Sequence, residues 1–411
     1  MKPTVLIATT FRWFPTARLG MALAKAGCTV DAVCPWRHPI RAATAVRRTF
    51  RYNGLAPIES FAAAITASRP DLIVPCDDVA IIHLHEIYDR ELRRAGAESE
   101  LCAGIERSLG APASFPVVRA RTAFMNLAEE EGVRVPKTRL IANLKDLKQW
   151  ATEMGFPIVL KSDGTSGGDG VRIVHTMEEA EDAFRVLRAP PLLVRALKRA
   201  LVDRDVTLVV PSLLRNRFVV NAQAFVSGRE ATSTVACWKG TILASLHFEV
   251  LNKHDSTGPS TVLRLIDNVD MTTAAEKMVS RLGLSGVIGF DFMLEQSTGN
   301  AYLVEINPRA TQVGHLTLGQ GRDLPAALYA AVTGETIRES AKVTENATIA
   351  LFPHEWLRNP QSPFLQSGYH DVPWEESEFI RVCVGTRRKR SALYSQRQQA
   401  QALSPVRVPR R

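Results

Sequence analysis

Asp291, Glu305, Asn307 and Arg309 are the residues of this 411-residue chain whose types and spacing best suit chemistry. They sit in two runs, Gly286 to Glu295 and Ala301 to Arg309, in which apolar residues recur at a period of two, as in strands. Gln296-Ser297-Thr298-Gly299-Asn300 between them is turn chemistry, so the pair is expected to form an antiparallel hairpin. A hairpin symmetric about Thr298 sets Glu295 against Ala301, Met293 against Leu303, and Asp291 against Glu305. Phe290, Phe292, Tyr302, Val304 and Ile306 then point to the other face, which is apolar enough to be a core. Like charges directly opposite in a sheet are destabilising, and a cation removes that cost. Two carboxylates and the Asn307 amide are hard oxygen ligands, suited to Mg²⁺ held together with substrate phosphates, with Mn²⁺ as an alternative. Arg309 adds a fixed positive charge where phosphate oxygens would lie. On the pattern alone, a surface hairpin with solvated acids is the competing reading.

A second stretch, Ile158 to Val174, reads as a strand ending at Lys161, a glycine-rich turn and another strand. Gly164, Gly167, Gly168 and Gly170 give the backbone N–H groups freedom to approach phosphates closely. The lysine precedes the glycines and a strand follows them, so this is not a P-loop. Taken by itself, the stretch is equally a long hairpin turn.

The elements that must position these residues start at the N-terminus. Val5 to Thr9, Pro15 to Ala26 and Thr29 to Cys34 read as strand, helix and strand, the opening of a parallel α/β sheet. A helix over Ile58 to Ser68 and a strand over Asp71 to Cys76 continue it. Ligands in such sheets bind beyond the carboxyl ends of the strands, where Asp77 and Asp78 fall. These acids either face a ligand or cap the helix that starts at Val79, and capping is the simpler reading. No G-x-G-x-x-G follows the first strand, so a dinucleotide site has no support. Helices are expected over Arg119 to Glu131, Lys145 to Met154, Glu178 to Leu187, Met271 to Leu282 and Leu324 to Thr333. Val219 to Val226 is a strand, and Thr232 to Lys239 with Thr241 to Val250 is a hairpin about Lys239-Gly240. Pro190 to Arg217 shows no clear period, Lys253 to Ser260 reads as a mobile loop, and the segment after Gly334 is weakly patterned.

Hydrophobic content of 45% and charged content of 23% are those of a soluble globular protein, long enough for two or three domains. No apolar run reaches the length of a membrane span and the N-terminus shows no signal peptide, so a cytoplasmic protein is expected. The six cysteines form no C-x-x-C pair and read as free, buried thiols. His83 and His85 read as ordinary helix residues. The net charge of +9 invites a nucleic-acid reading, but its location argues against one. From Arg387 to the end there are eight basic residues and no acid; without them the 51 basic residues fall to 43, against 42 acidic. The surplus is a tail, expected to be solvated and disordered, and with Tyr394 as its one aromatic it offers no stacking platform.

Together these residues resemble the ATP-grasp superfamily: a strand lysine before a glycine-rich loop, then an acid-bearing hairpin closing on Glu305-Ile306-Asn307-Pro308-Arg309. The likeness covers Arg119 to Gly334 well and the N-terminal region more loosely. It implies an α/β fold: a Rossmann-like domain over 1–118, then an ATP-grasp domain over 119–335 made of two α+β subdomains, 119–225 and 226–335. A C-terminal segment over 336–385 and the basic tail over 386–411 complete the chain. It implies that Lys161 and Arg309 are catalytic and that Asp291, Glu305 and Asn307 hold the metal. Lys161 and the loop residues Gly164, Ser166, Gly167, Gly168 and Gly170 would contact ATP phosphates, with Arg121 standing where a lysine is usual. Gln223, Phe225 and Val226 match the hinge beside adenine, although Ala224 stands where an acid is frequent. The activity implied is a Mg²⁺-dependent ligase that activates a carboxylate with ATP as an acylphosphate, which an amine or thiol then attacks. An ATP-binding sensor or scaffold is the alternative, and a membrane-surface role for the tail a third. The substrates are expected between the N-terminal domain and the clamp, near the Lys253–Ser260 loop and Arg264. The acid, the nucleophile and the oligomeric state are not legible.

Overall fold

The computed structural model describes residues 2–163, 170–190, 218–255, 258–337, 341–385 and 392–393. Gly164, Ser166, Gly167 and Gly168, nearly all of Pro190 to Arg217, and the tail apart from Ala392 and Leu393 lie outside the described residues.

The first four strands are β1 (Thr4–Ala8), β2 (Thr29–Cys34), β3 (Val46–Arg51) and β4 (Leu72–Pro75), in a parallel sheet of order β3-β2-β1-β4. Both faces are covered, which is why β1 is apolar at every position after Thr4. Val5 and Ile7 join Leu19 and Leu23 of the helix Phe14–Lys25 in one core. Leu6 and Ala8 face Phe61 and Ile65 of the helix Pro57–Ser68 and Ile81 and Leu84 of the helix Asp78–Ala95. β3 had no reading in the sequence: Val-Arg-Arg-Thr-Phe-Arg is an edge strand whose Arg47 and Arg48 pair with buried Asp31 of β2. Cationic edges of this kind block strand addition.

β5 (Thr138–Ile141), β6 (Ile158–Ser162), β7 (Val171–Val174) and β8 (Val220–Ala224) form a small antiparallel sheet of order β5-β8-β6-β7. The helices Leu144–Met154 and Met177–Arg188 cover it through Leu147, Trp150 and Phe184. A larger sheet holds β9 (Gly228–Trp238), β10 (Thr241–Lys253), β11 (Ser260–Leu265), β12 (Gly286–Glu295), β13 (Ala301–Asn307), β14 (Thr348–Ala350) and β15 (Tyr369–His370). Its order is β13-β12-β9-β10-β11-β14-β15. One face packs on the helix Val269–Leu282, and the other joins the core of the parallel sheet. The β9–β10 turn is Lys239-Gly240, both with positive φ, as the expected tight hairpin requires.

The described residues differ from the sequence expectations in three places. Asp291 pairs with Glu305 as expected, but a bulge at Val304 shifts the rest of the hairpin, so Met293 pairs with Tyr302 and Leu294 with Ala301. One extra residue flips the alternation. Leu303 is therefore buried with Phe290, Phe292 and Ile306, while Tyr302 and Val304 turn out of that core. The Lys253–Ser260 segment is a connection as expected, with only its end residues in strands: β10 runs to Lys253 and β11 starts at Ser260. The segment after Gly334 adds two strands to the large sheet, and its Trp356, Phe379 and Ile380 enter the core. Leu393 of the basic tail is fully buried in that core, so the tail is not wholly solvated.

Candidate active site

Three chain segments converge on the acid pair. β12 carries Asp291 and β13 carries Glu305, directly opposite each other. β9 lies on the other side of β12, and its Thr232, opposite Asp291, donates from Oγ1 to Asp291 Oδ1 at 3.0 Å. Asn307 Nδ2 donates to Asp291 Oδ2 at 2.8 Å. Burial and the neighbouring Glu305 nevertheless push the Asp291 carboxyl above its ordinary pKa. Burial also raises that of Glu305, but Arg121 and Lys161 outweigh it and hold Glu305 low.

Arg121 opens the helix Arg121–Glu130 and reaches both oxygens of Glu305: Nη2 to Oε1 at 3.1 Å and Nη1 to Oε2 at 3.1 Å. Its Nε lies 3.5 Å from Asp163 Oδ1. Lys161, 6% exposed, comes off β6, and its Nζ donates to the Val304 carbonyl at 3.4 Å. The bulge at Val304 thus gives the lysine an acceptor. Burial first, then the charge on Arg121, brings the Lys161 ammonium down to about 8 against the pull of Glu305 and Asp291. Arg309 follows β13 and is held by Asp78 of the parallel-sheet region, Nε to Oδ1 at 3.0 Å and Nη2 to Oδ2 at 3.3 Å. Its Nη2 also donates to Asn307 Oδ1 at 3.1 Å.

Asp77 and Asp78 divide the two sequence readings between them. Asp77 is the N-cap, accepting from Ala80 N–H, and also accepts from the Thr10 N–H and hydroxyl. Asp78 turns to Arg309 instead. Asp163, Asn221, Thr122 and Thr232 went unnoticed in the sequence. Asn221 donates to Asp163 at 2.8 Å and accepts from Thr122 at 2.5 Å, which ties β6, β8 and the Arg121 helix together. Their partners are far away along the chain, and no local pattern marks them.

The expected adenine hinge lies where the chain crosses from one sheet to the other: β8 ends at Ala224 and β9 begins at Gly228. Phe225 is exposed, while Gln223 is buried and donates to Thr138 Oγ1 at 3.1 Å. Gly170 accepts at its carbonyl from Ser162 N–H at 2.9 Å, at the foot of the glycine-rich turn. A cavity of about 1300 Å³ joins these parts, with Arg121, Lys161, Gln223, Asp291, Glu305 and Arg309 among its walls. Phe225 and Val226 also border a second hollow of about 420 Å³. Lys253, Pro259 and Ser260 line the large cavity as expected, but Arg264 does not; it pairs with Glu249 on the large sheet.

The donor set fits a hard divalent cation. Asp291 and Glu305 oppose each other at the cost of a raised Asp291, and a cation between them relieves it. Among the described residues no group of three or more His, Cys, Asp or Glu side chains can hold a metal ion. A cation held by the pair would need further oxygen ligands, which the Asn307 amide and ligand or water oxygens could supply.

Comparison with known proteins agrees with this geometry. Residues 120–208 match the carbamoyl-phosphate synthase L chain ATP-binding domain, and residues 206–313 match the ATP-grasp domain. The carbamoyl phosphate synthase large chain of Thermotoga petrophila is 24% identical over 302 residues, covering 72% of this chain and 25% of that relative. The chain thus spans about a quarter of the length of that protein. N5-carboxyaminoimidazole synthetase from Staphylococcus aureus, solved with ADP, shares the fold at a TM-score of 0.54 and 15% identity, covering 82% of this chain and 79% of that one. Biotin carboxylase from Campylobacter jejuni does so at a TM-score of 0.56 and 15% identity, covering 82% and 72%. The acid pair and the strand lysine fall inside those two matched regions, which make residues 120–313 the ATP-grasp part of this chain.

Proposed function

We propose that the protein is an ATP-dependent ligase that activates a carboxylate as an acylphosphate and passes the acyl group to an amine or thiol. The observation that carries this reading is the in-register Asp291–Glu305 pair on the wall of the 1300 Å³ cavity, with Lys161, Arg121 and Arg309 beside it. Asp291, Glu305 and Asn307 would hold Mg²⁺, which when bound neutralises phosphate oxygens. Lys161 meets the transferring phosphoryl group from the small sheet, Arg121 from the start of its helix, and Arg309 from the end of β13. A cationic frame of this kind stabilises charge that develops in phosphoryl transfer. Cys76 is the one cysteine among the described lining residues, and burial drives its thiol well above the usual range, which disfavours it as a covalent nucleophile. The phosphoryl group therefore passes directly to substrate. A carboxylate oxygen bonds to the γ-phosphorus as the bond to the bridging oxygen breaks and ADP leaves. The amine then adds to the acyl carbon, and phosphate departs with the bonding electron pair as the amine sheds its proton.

The described residues contain no helix long and apolar enough to cross a membrane. The reading takes small-molecule substrates and gives the basic tail no part in the chemistry. A screen of acid and amine pairs for release of ADP and phosphate tests it. ADP release that requires both an acid and Mg²⁺ is expected. MgATP binding without turnover under any pair would support a sensor instead.

A further inference from the structure

We propose that the parallel-sheet side of the cavity receives the nucleophile, and that this nucleophile is a primary amine carried on an aromatic or large aliphatic group. The proposal rests on the ligase reading for what the amine does, and on the cavity wall for what binds.

The wall is apolar with a single carboxylate. Phe11 and Trp13, from the loop at the carboxyl end of β1, line the cavity with ring centroids 6.2 Å apart. Phe11 is 37% exposed, so part of its ring beside Trp13 is open to the cavity. Ile81 and Ile82 line the same wall, three and four residues after Asp78 on one helix. That spacing sets all three on one helical face. An apolar group lying against the rings and the isoleucines thus has a carboxylate within one helical turn.

The wall is also fixed in place. Trp13 N–H donates to His38 Nε2 at 3.3 Å, and the indole packs on His354 at 5.2 Å between centroids. Thr10, just before the aromatic pair, is tied to Asp77 through its N–H at 2.6 Å and its hydroxyl at 2.9 Å. Ala310 N–H donates to the Pro75 carbonyl at 2.9 Å, locking the Arg309 segment to the end of β4. A preorganised apolar surface binds without the cost of ordering it.

Charge selects the amine. Asp78 pairs with Arg309, while Arg309 is also drawn to Asp291 and Asp77. In the proposed reaction Arg309 turns to phosphoryl oxygens. Asp78, its side chain 40% exposed, would then face the cavity as a carboxylate without its counter-ion. A substrate ammonium restores the pairing on the parallel-sheet side, across Arg309 from the phosphates, and gives one proton to the Asp78 carboxylate before its nitrogen attacks. Among the described lining residues of this side, Asp78 is the one acid, and the other charged residue, Arg119, is solvent-exposed. The wall therefore suits a monoamine with an apolar body, and has no acid to hold the second ammonium of a diamine.

Calorimetric titration of the full chain, saturated with Mg²⁺ and a non-hydrolysable ATP analogue that keeps the γ-phosphoryl group, tests this with phenethylamine, 3-phenyl-1-propanol, ethanolamine and putrescine as probes. Phenethylamine should bind at least about tenfold more tightly than each of the others. Asp78→Asn should weaken phenethylamine about tenfold and leave 3-phenyl-1-propanol unchanged. Trp13→Ala should weaken both aromatic probes together and leave ethanolamine unchanged, so the proposal does not hang on one variant. Equal binding of ethanolamine or putrescine, insensitivity to both substitutions, or no binding of phenethylamine overturns the assignment. Failure of the ligase reading is separate: ADP release with a small polar amine would uphold the ligase and overturn this wall. Asp78-dependent binding of phenethylamine without ADP release under any acid would do the reverse.

Discussion

At the residue scale, Glu305 is the group on which the site turns. Its two oxygens are shared with Arg121, and Lys161 and Asp291 feel its charge. Glu305→Gln keeps the shape and removes the charge. The variant should fold and lose at least about 100-fold in turnover, comparable to other losses around a metal site; steady-state ADP release and a melting curve check the two halves, and normal turnover would remove Glu305 from the site. The opposition of Asp291 and Glu305 was legible because a hairpin is local: period-two patterning and one turn set the register. The fixing contacts were not. Asp163, Asn221 and Thr122 meet across the fold, with Thr122 and Asn221 99 positions apart in the chain. Single polar residues of ordinary type carry no signal until the sheets are assembled.

At the element scale, the hairpin depends on two backbone features. The bulge at Val304 gives Lys161 an acceptor and turns Leu303 into the core. Bulges have no sequence signature here, so the sequence placed Tyr302 and Val304 inward in its stead. Gly289 is the second feature. A Cβ there would lie 2.3 Å from Thr311 Cγ2 and 3.2 Å from Asn307 Cβ. Its bare backbone lets the segment beyond Arg309 cross β12 closely. Gly289→Ala should push Asn307 and Arg309 out of place and reduce turnover at least about tenfold, since small misplacements in a catalytic frame are costly. Unchanged kinetics would show that the segment yields without moving the site. The helix Leu324–Thr333 and strand β2 matched the sequence expectations residue for residue. Each is bounded by clear stop signals, whereas β3, rich in arginine, had none of the apolar alternation that marks a strand.

At the scale of the whole molecule, the C-terminal segment is part of the body. Leu393 is fully buried beside Phe379, Ile380 and the parallel-sheet core. Leu393→Ala should cost about 2–5 kcal/mol in urea unfolding. A cost near zero would show that the tail does not pack. Buried histidines make the fold acid-sensitive. Burial brings His38 and His85 down to about 3, and His247, His354 and His370 to about 4. Each folded pKa lies below the unfolded value near 6.5, so the unfolded chain binds more protons in that window. Stability should be fully present above about pH 6.5 and fall steadily as pH drops toward 4. A urea midpoint that is flat between pH 7 and 5 would contradict this. Composition could not foresee it, because nine histidines in a sequence do not say which of them are buried.

The central claim is that ATP phosphorylates a substrate carboxylate within the Asp291–Glu305 site. The most direct measurement supplies MgATP, a panel of carboxylic acids and hydroxylamine in place of the natural nucleophile. The account predicts an acid-dependent hydroxamate with ADP and phosphate as co-products in equal amounts, and negligible ATP consumption without the acid. AMP and pyrophosphate in place of ADP and phosphate would contradict it and point to an adenylate.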